Sequence, residues 1–273
     1  MTLTPTSSFR VADAAPDAAR RTRETYAESK EPMNVTDQIA LVTGANRGIG
    51  RQFVLELLER GASKVYATGR RPESLDFDDP RVVPLRVDIV DHESVIAAAA
   101  TARDVTILVN NAGISTGAAL VTGELDEIHR EMDTHFWGTL DVIREFSPVL
   151  AANGGGAIVN ILSALSWFAG PGAGSYAAAK AAGWNMTNGV RLELAAQGTL
   201  VQGVLLGAAD TDLAAGYDGP KIDPRDAPRR SLDALAAGSI EVIVDDWTAM
   251  VKASLAGDPA AFYAQITELL DAS

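Results

Sequence analysis

Short runs of consecutive apolar residues alternate along the chain with longer segments whose apolar positions recur at the spacing of a helix. The runs have the length of strands and lie at residues 38–43, 64–68, 81–87, 105–110, 156–162, 200–206 and 241–244. The segments between them predict helices at residues 51–60, 92–101, 124–150, 175–196, 228–237, 247–256 and 259–270. Runs that are apolar at nearly every position are typical of strands buried on both faces. The pattern therefore predicts an α/β fold in which helices cover both faces of a parallel sheet.

No change of composition interrupts this pattern after Met33, and the glycines at 154–156 indicate a turn into a strand rather than a linker. Residues 1–32 differ from the rest, because they are rich in Ala, Thr, Arg and Pro and lack the apolar stretch of a secretory signal. We expect residues 1–32 to form a flexible or loosely docked extension and residues 33–273 to form one domain.

Composition and charge narrow the classes of partner. The chain has 273 residues, 47% of them hydrophobic, which is enough for a substantial core. Acidic residues outnumber basic ones by 36 to 23, for a net charge of −13, so nucleic acid and anionic membrane surfaces are disfavoured partners. No apolar run reaches the length of about 18 residues that a membrane-spanning helix needs. We expect a cytoplasmic protein that acts on a small molecule.

The absence of cysteine from the sequence excludes disulfides, thiolate nucleophiles and cysteine-ligated zinc. Three histidines remain, His92, His129 and His135. We expect His92 and His129 to be surface helix residues, and we predict no metal site, because no three ligands group as such a site would need.

The stretch TGANRGIG at residues 43–50 follows the first apolar run and carries three glycines. A glycine-rich turn from a strand into a helix lets backbone N–H groups approach a pyrophosphate at the helix N-terminus. The glycine spacing differs from G-x-G-x-x-G, and taken alone the stretch is also compatible with an ordinary strand-to-helix turn.

Three further motifs follow in a fixed order: LVNNAG at 108–113, Ser163, and SYAAAK at 175–180. Together with TGANRGIG they resemble the short-chain dehydrogenase/reductase family, and the resemblance runs from about residue 35 to residue 213. It implies a single doubly wound, Rossmann-like domain with about seven strands in the order 3-2-1-4-5-6-7. It also implies a nicotinamide cofactor and the interconversion of a carbonyl group and an alcohol.

The resemblance assigns cofactor-binding roles to residues in every loop of the expected site. Asp88 resembles the family residue that accepts from the adenine amino group, and Thr211 would contact the nicotinamide carboxamide, although Leu206 stands where the family usually has proline. The full set implied is Gly44, Asn46, Arg47, Gly48, Ile49, Gly50, Arg70, Asp88, Ile89, Asn111, Ala112, Gly113, Tyr176, Lys180, Ala209 and Thr211.

Two arginines indicate which nicotinamide cofactor is bound. Binders of NAD place an acid at the end of the second strand, whereas binders of NADP place a cation there for the 2′-phosphate. Here the second strand ends at Arg70, and no acid follows until Glu73. Either Arg70 or Arg47 alone could be a solvated turn charge, but together they predict NADP(H).

Tyr176 and Lys180 are one helical turn apart, so both side chains project from one face. A nearby lysine ammonium would lower the pKa of the tyrosine and make it a usable acid and base. The resemblance implies that Tyr176 protonates the developing alkoxide, that Lys180 also holds the nicotinamide ribose, and that Ser163 hydrogen-bonds the substrate oxygen.

His135 occupies the position of a family asparagine whose side chain and backbone carbonyl anchor a water in a proton relay to the lysine. Three alternatives are compatible with this substitution. The imidazole takes over the relay and adds a pH dependence between about pH 6 and 7. Otherwise it packs in the helix while the backbone carbonyl suffices, or the site is impaired.

The C-terminal part departs from the family, because the chain continues after residue 244 into two helices rather than into the glycine pair of family tetramers. A tetramer is therefore in doubt, and a homodimer or a monomer remains. Four aromatic residues are expected near a substrate pocket that a short lid leaves open, and they favour a hydrophobic or aromatic ketone: Trp137, Trp167, Phe168 and Tyr217.

These features predict an NADPH-dependent carbonyl reductase. The alternative from another class is a sensor or interaction protein that binds NADP(H) without turnover, although a sensor has no need of an activated tyrosine. An epimerase or a dehydratase that uses the same cofactor is a further alternative among enzymes.

Overall fold

The computed structural model describes residues 33–271, so the predicted N-terminal extension lies outside the described residues. Seven parallel strands form one sheet in the predicted order, β3-β2-β1-β4-β5-β6-β7. The strands are β1 (Ile39–Val42), β2 (Lys64–Gly69), β3 (Val82–Arg86), β4 (Ile107–Asn110), β5 (Ala157–Ile161), β6 (Leu200–Leu205) and β7 (Glu241–Ile243). The doubly wound fold predicted from the sequence is confirmed.

Helices connect the strands and complete the chain. They are α1 (Gly48–Glu59), α2 (His92–Thr101), α3 (Leu125–Met132), α4 (Thr139–Ala152), α5 (Gly174–Glu193), α6 (Asp226–Ala236), α7 (Asp246–Ser254) and α8 (Pro259–Asp271). The single helix predicted at 124–150 is wrong in one respect, because a π-helical segment at Asp133–Gly138 separates α3 from α4. Such segments are frequent at functional sites, and His135 lies in this one.

Two apolar layers, one on each face of the sheet, form the core. Successive strand residues point to opposite faces, so Val42 packs with Phe53 of α1 on one side while Leu41 packs with Phe146 of α4 on the other. Full burial of side chains of this size stabilises the fold by about 1.5 to 3 kcal/mol each. No helix among the described residues is long and apolar enough to cross a bilayer.

The strand order reverses between β1, which pairs with β2, and β4, which pairs with β5. Ligands of open parallel sheets bind beyond the carboxyl ends of the strands at such a switch point, because the two following loops diverge there and leave a crevice. The loops after β1, β4, β5 and β6 leave the sheet at this edge, and they carry most of the residues singled out from the sequence.

Candidate active site

The glycine-rich loop after β1 folds so tightly that side chains are excluded. Gly44 and Gly48 have φ values of 65° and 52°, which favour glycine. A Cβ atom on Gly50 would lie 2.3 Å from the Gly44 carbonyl oxygen. The first turn of α1 has no side-chain cap, because Arg47 at the N-cap makes no capping hydrogen bond. The backbone N–H groups at the start of α1 therefore suit a bound anion, and the loop fits the pyrophosphate of a dinucleotide.

The loop after β4 is fastened to the glycine-rich loop. The Asn111 side chain donates to the carbonyls of Thr43 at 3.0 Å and Gly44 at 3.2 Å. The Thr43 hydroxyl accepts from the backbone N–H groups of Asn111 and Ala112 at 2.9 and 3.0 Å. Asn111 thus shapes the crevice with its side chain, a role that the sequence reading did not include.

The two arginines are exposed at the same end of the crevice. Arg70 directly follows β2, and its side chain is exposed to solvent. Arg47 pairs with Asp212 at 2.8 Å, and the two side chains are 66% and 71% exposed. The sequence reading missed Asp212, which follows Thr211 directly and whose position opposite Arg47 depends on a contact between distant loops.

The loop after β6 lies over the glycine-rich loop. A Cβ atom on Gly48 would be 3.1 Å from the Thr211 methyl group, so the two loops meet there. Asp245 accepts from the backbone N–H of Gly207 at 2.8 Å and also caps α7 through Thr248. This carboxylate restrains the start of the loop, where the family proline is replaced by Leu206.

Other residues assigned to the cofactor lie along the same edge, with different degrees of burial. Ile49 packs against the apolar core beneath the glycine-rich loop, and Ile89 is buried. Asp88 is half-buried, and its backbone N–H donates to the Ser94 hydroxyl at 3.0 Å. Ala209 is buried and forms a bridge with Ile222.

Tyr176 and Lys180 lie on α5, which starts beside the end of β5. The buried Lys180 ammonium donates to the Ile161 carbonyl at 2.9 Å and lies 5.5 Å from the centre of the Tyr176 ring. Burial lowers the pKa of Lys180 to about 8. The predicted face shared by the two side chains is therefore present in the fold.

The expected direction of the Tyr176 pKa is wrong. Burial raises this pKa, and the Glu131 carboxylate raises it further. Lys180 does not offset these effects, because its own burial makes it lose its charge before the phenol ionises. Tyr176 is thus held as a neutral phenol, which is the form that donates a proton.

Ser163 lies two residues after the end of β5 and caps the short 3-10 helix Ala164–Ser166. Its hydroxyl oxygen accepts from the Leu165 N–H at 3.1 Å. Since an oxygen that accepts this bond keeps its own proton, the Ser163 hydroxyl can donate to a substrate oxygen.

His135 is buried in the π-helical segment, with Nε2 at 2.7 Å from the Ile114 carbonyl oxygen. A carbonyl only accepts, so Nε2 carries the proton. The imidazole ring meets the Tyr176 ring edge-on at 5.2 Å. A Cβ atom on Gly113 would lie 2.6 Å from the imidazole, so the glycine leaves room for the larger side chain.

The pH dependence expected of His135 between about pH 6 and 7 is not supported by its surroundings. Burial, and after it the positive charge of Lys180, lowers the pKa of His135 to about 3. The imidazole is therefore neutral at physiological pH and fixes the position of the segment that begins at Ile114.

Glu131, one turn before His135, was missed by sequence reasoning. It is fully buried, and its Oε1 atom accepts from the Thr116 N–H at 2.6 Å. Its Oε2 atom has no hydrogen-bond partner among the described residues. The helical spacing between Glu131 and His135 was the available signal, since it places both residues on one face.

A small cavity of about 10 Å³ lies beside Lys180, His135 and the asparagines Asn110 and Asn160. The Asn110 side chain donates to Asn160 at 2.8 Å, whereas its own oxygen has no partner among the described residues. A cavity of this size and polarity accommodates about one water.

The four aromatic residues expected near the pocket separate into two groups. Trp137 is 59% exposed and packs against Phe136, and Tyr217 is also partly exposed. Trp167 packs against Trp184. Phe168 meets Trp247 of α7 and Phe262 of α8 at 6.1 and 5.5 Å between ring centres. The C-terminal helices thus extend the wall that begins after Ser163.

The expectation that no three metal-ligand side chains come together is wrong. Ligand atoms of His92, Asp141 and Glu145 lie within 4.8 Å of one another, because α2 and α4 pack side by side. His92 is exposed, and its hydrogen bond to Asp141 raises the pKa of His92. An ion pair between His92 and Asp141 accounts for the geometry of this cluster.

Comparison with known proteins agrees with the fold. A sequence profile described as short chain dehydrogenase matches residues 38–220. An uncharacterized oxidoreductase of Staphylococcus aureus is 32% identical over 219 residues, which cover 75% of this chain and 94% of that protein. The chain therefore belongs to the short-chain dehydrogenase family, whose members are oxidoreductases that bind a nicotinamide cofactor.

Solved structures resemble most of the chain. A short-chain dehydrogenase from Burkholderia cenocepacia, in complex with NADP, is 41% identical with a TM-score of 0.82, covering 85% of this chain and 98% of that chain. A gluconate 5-dehydrogenase from the same organism, in complex with NADP and tartrate, is 27% identical with a TM-score of 0.73, covering 79% and 96%.

Proposed function

We propose that this protein is an NADPH-dependent oxidoreductase that reduces a ketone or aldehyde to an alcohol. The observation that carries the proposal is the group formed by the half-buried Tyr176 with the buried Lys180 and His135, beside the crevice at the switch point of the sheet. A neutral phenol next to an ammonium is suited to deliver a proton to an oxygen that gains negative charge.

NADP(H) is the proposed cofactor because exposed cations and no acid stand at the end of β2. Arg70 follows that strand directly, and Arg47 lies on the glycine-rich loop. Among the described residues, the Arg47 side chain is held by an exposed ion pair, which a dianionic phosphate can displace at little cost. Two of the similar structures contain NADP, which supports the same choice.

The residues take distinct roles in the proposed reaction. The reduced nicotinamide supplies the hydride when it is bound. Tyr176 gives its proton to the substrate oxygen, Ser163 donates a hydrogen bond to the same oxygen, and Lys180 holds the nicotinamide ribose. His135 keeps Ile114 in place through its neutral imidazole and does not itself exchange protons.

The proposed substrate is a carbonyl compound with a bulky apolar or aromatic group. Phe168 follows the Ser163 turn and forms an edge-to-face cluster with Trp247 and Phe262. A wall of this kind excludes water and favours apolar groups.

The cytoplasmic location, the homodimer and the division into a 1–32 extension and a 33–273 domain remain proposals from the sequence. Size-exclusion chromatography with light scattering tests the homodimer, since a single species of monomer mass would reject it.

The experiment that tests the function follows the oxidation of NADPH, and of NADH, over a panel of ketones, aldehydes and quinones. We expect turnover with NADPH, at least about tenfold weaker use of NADH, and loss of turnover in Tyr176→Phe. Tight NADPH binding without turnover of any carbonyl would reject the reductase and favour the NADP(H)-binding sensor.

A further inference from the structure

The loop after β6 runs across the crevice, from the catalytic end to the glycine-rich loop. At its start, the Leu206 carbonyl accepts from the N–H of Ala164 in the 3-10 turn at the catalytic end, at 2.9 Å. At its far end, the Thr211 methyl group would lie 3.1 Å from a Cβ atom on Gly48. A dinucleotide with its pyrophosphate on the glycine-rich loop and its nicotinamide at the catalytic end would therefore border residues 207–211.

The first two residues of this stretch have little side chain with which to fix their own conformation. Gly207 has none, and the half-buried Ala208 carries only a methyl group. Ordering such residues costs conformational entropy, most of all at glycine. A backbone bridge between Ala209 and Ile222 holds the next part of the loop. The start of the loop therefore depends on a contact from another element.

That contact comes from the first turn of α7. Asp245, the N-cap of α7, accepts from the Gly207 N–H with Oδ2 and from the Thr248 N–H with Oδ1, both at 2.8 Å. A Cβ atom on Gly207 would lie 3.3 Å from both Asp245 and Trp247, so the helix start packs directly on the glycine. Trp247 also meets Phe168, with 6.1 Å between the ring centres. One helical turn thus contacts the loops after β5 and β6 together.

The cap of α7 does not require a side chain with two oxygens. The N–H and the hydroxyl of Thr248 both lie within 3.0 Å of Asp245 Oδ1, so one oxygen is enough for the helix. Serine is as good an N-cap as aspartate and offers that one oxygen. The second oxygen of Asp245 reaches outside the helix to Gly207, which indicates a role in the loop.

We propose that Asp245 is a positioning residue for the nicotinamide half of the cofactor, which holds the start of the 207–211 loop at the catalytic end of the crevice. The proposal rests on the proposed cofactor and extends its site to the C-terminal helices. Asp245 acts through the Gly207 backbone and makes no contact with the cofactor itself. The adenosine half belongs to the other end of the crevice, beside the arginines, and does not depend on Asp245.

The test compares Asp245→Ser with wild type, because serine keeps the cap of α7 and has no second oxygen for Gly207. Calorimetric titration measures the dissociation constants of NADPH and of 2′,5′-ADP, which carries the adenosine half alone. We expect NADPH binding to weaken by about tenfold and 2′,5′-ADP binding to change by less than about twofold. Asp79→Ala is the control, because Asp79 also accepts a backbone N–H, from Arg81 at 2.9 Å, but precedes β3 at the opposite edge of the sheet. It should leave both dissociation constants unchanged.

Hydrogen exchange, measured by mass spectrometry on the cofactor-free protein, is the second readout. Exchange of the peptide that carries residues 206–212 should be faster in Asp245→Ser, while exchange of α7 stays as in wild type. Unchanged exchange of that peptide would overturn the inference, as would equal losses of affinity for NADPH and 2′,5′-ADP or no loss for either. A loss confined to NADPH, in a protein that turns over no carbonyl, supports the role of Asp245 and rejects only the reductase.

Discussion

The two ends of the crevice use charged side chains in opposite ways. At the phosphate end, Arg47 and Arg70 are exposed, and the partner of Arg47 is an equally exposed carboxylate. At the catalytic end, Lys180 and His135 are buried at 5.5 and 5.2 Å from the Tyr176 ring, and Glu131 is buried one helical turn before His135. Solvent screens the first group, so these arginines interact only weakly with their protein neighbours and are available to an arriving anion.

Burial changes the behaviour of the second group. It lowers the pKa values of Lys180 and His135 and raises that of Tyr176, so the charge on each residue depends on its neighbours. The charge of an exposed side chain can therefore be inferred from the residue type, whereas the charge of a buried titratable group can be inferred only when its neighbours are known.

The largest expected effect is at Tyr176. Replacing it with phenylalanine removes the proton donor, and we expect kcat to fall by about a hundredfold to ten-thousandfold. The dissociation constant of NADPH, measured by fluorescence titration, should change by less than about threefold because the phosphate end is intact. Tyr66→Phe, which removes a hydroxyl bonded to Asp104 on the β2 side of the sheet, is the control. Full activity of the Tyr176→Phe variant would contradict the proposed mechanism.

The buried ammonium of Lys180 is expected to destabilise the folded protein at neutral pH. The native pKa of about 8 lies below the ordinary 10.5, so the unfolded chain binds the extra proton between these values. The free energy of unfolding therefore rises as the pH rises from about 8 to 10.5. Below about pH 8 the buried ammonium destabilises the fold to its full extent. Lys180→Met should stabilise the cofactor-free protein by about 2 to 3 kcal/mol at neutral pH, since some of the gain is lost with the hydrogen bond to Ile161.

Urea denaturation at neutral pH and at about pH 10 checks this expectation, because the gain from Lys180→Met should shrink at the higher pH. The exposed Lys252→Met is the matched control and should show no such gain. Equal stability of Lys180→Met and wild type at both pH values would mean that the buried ammonium is fully compensated.

His135 should have its effect on acid stability rather than on turnover between about pH 6 and 7. Its native pKa of about 3 lies below the ordinary 6.5, so the unfolded chain binds the proton first and stability is lost as the pH falls through this window. His135→Asn should remove about 2 kcal/mol of the loss between about pH 7 and pH 5. Chemical denaturation at the two pH values measures it, and an equally steep loss in the variant would show that His135 titrates normally.

The smallest expected effects lie at the exposed end. Arg47→Ala and Arg70→Ala should each weaken NADPH binding by about tenfold and leave NADH binding nearly unchanged. Asp212→Asn should strengthen NADPH binding by no more than about threefold, since it frees Arg47 from a screened ion pair. Calorimetric titration with both cofactors checks the set, and equal losses for NADPH and NADH would place the arginines away from the 2′-phosphate.

Much of the fold could be predicted from the sequence. The α/β class follows from the alternation of buried runs with amphipathic segments, whereas the strand order and the place of the crevice follow from the resemblance of the motifs to the family. Element ends were less predictable, as at α1, which begins at Gly48 inside the glycine-rich loop rather than after it. The π-helical segment was not predictable, because its extra residue leaves the apolar spacing on either side almost unchanged.

The sequence by itself determined the doubly wound sheet, the family, and the arginines and the tyrosine and lysine pair that stand at the crevice. Hydrophobic periodicity and motif order are properties of the sequence itself, so they can be recognised without the tertiary structure. Only the tertiary structure decided that Tyr176 is held as a phenol, that His135 is neutral and bound to Ile114, and that Glu131 lies beside them. The physical reason is that burial and the distances between side chains from different helices set the protonation of each group, and both arise only when α3, the π-helical segment and α5 pack together.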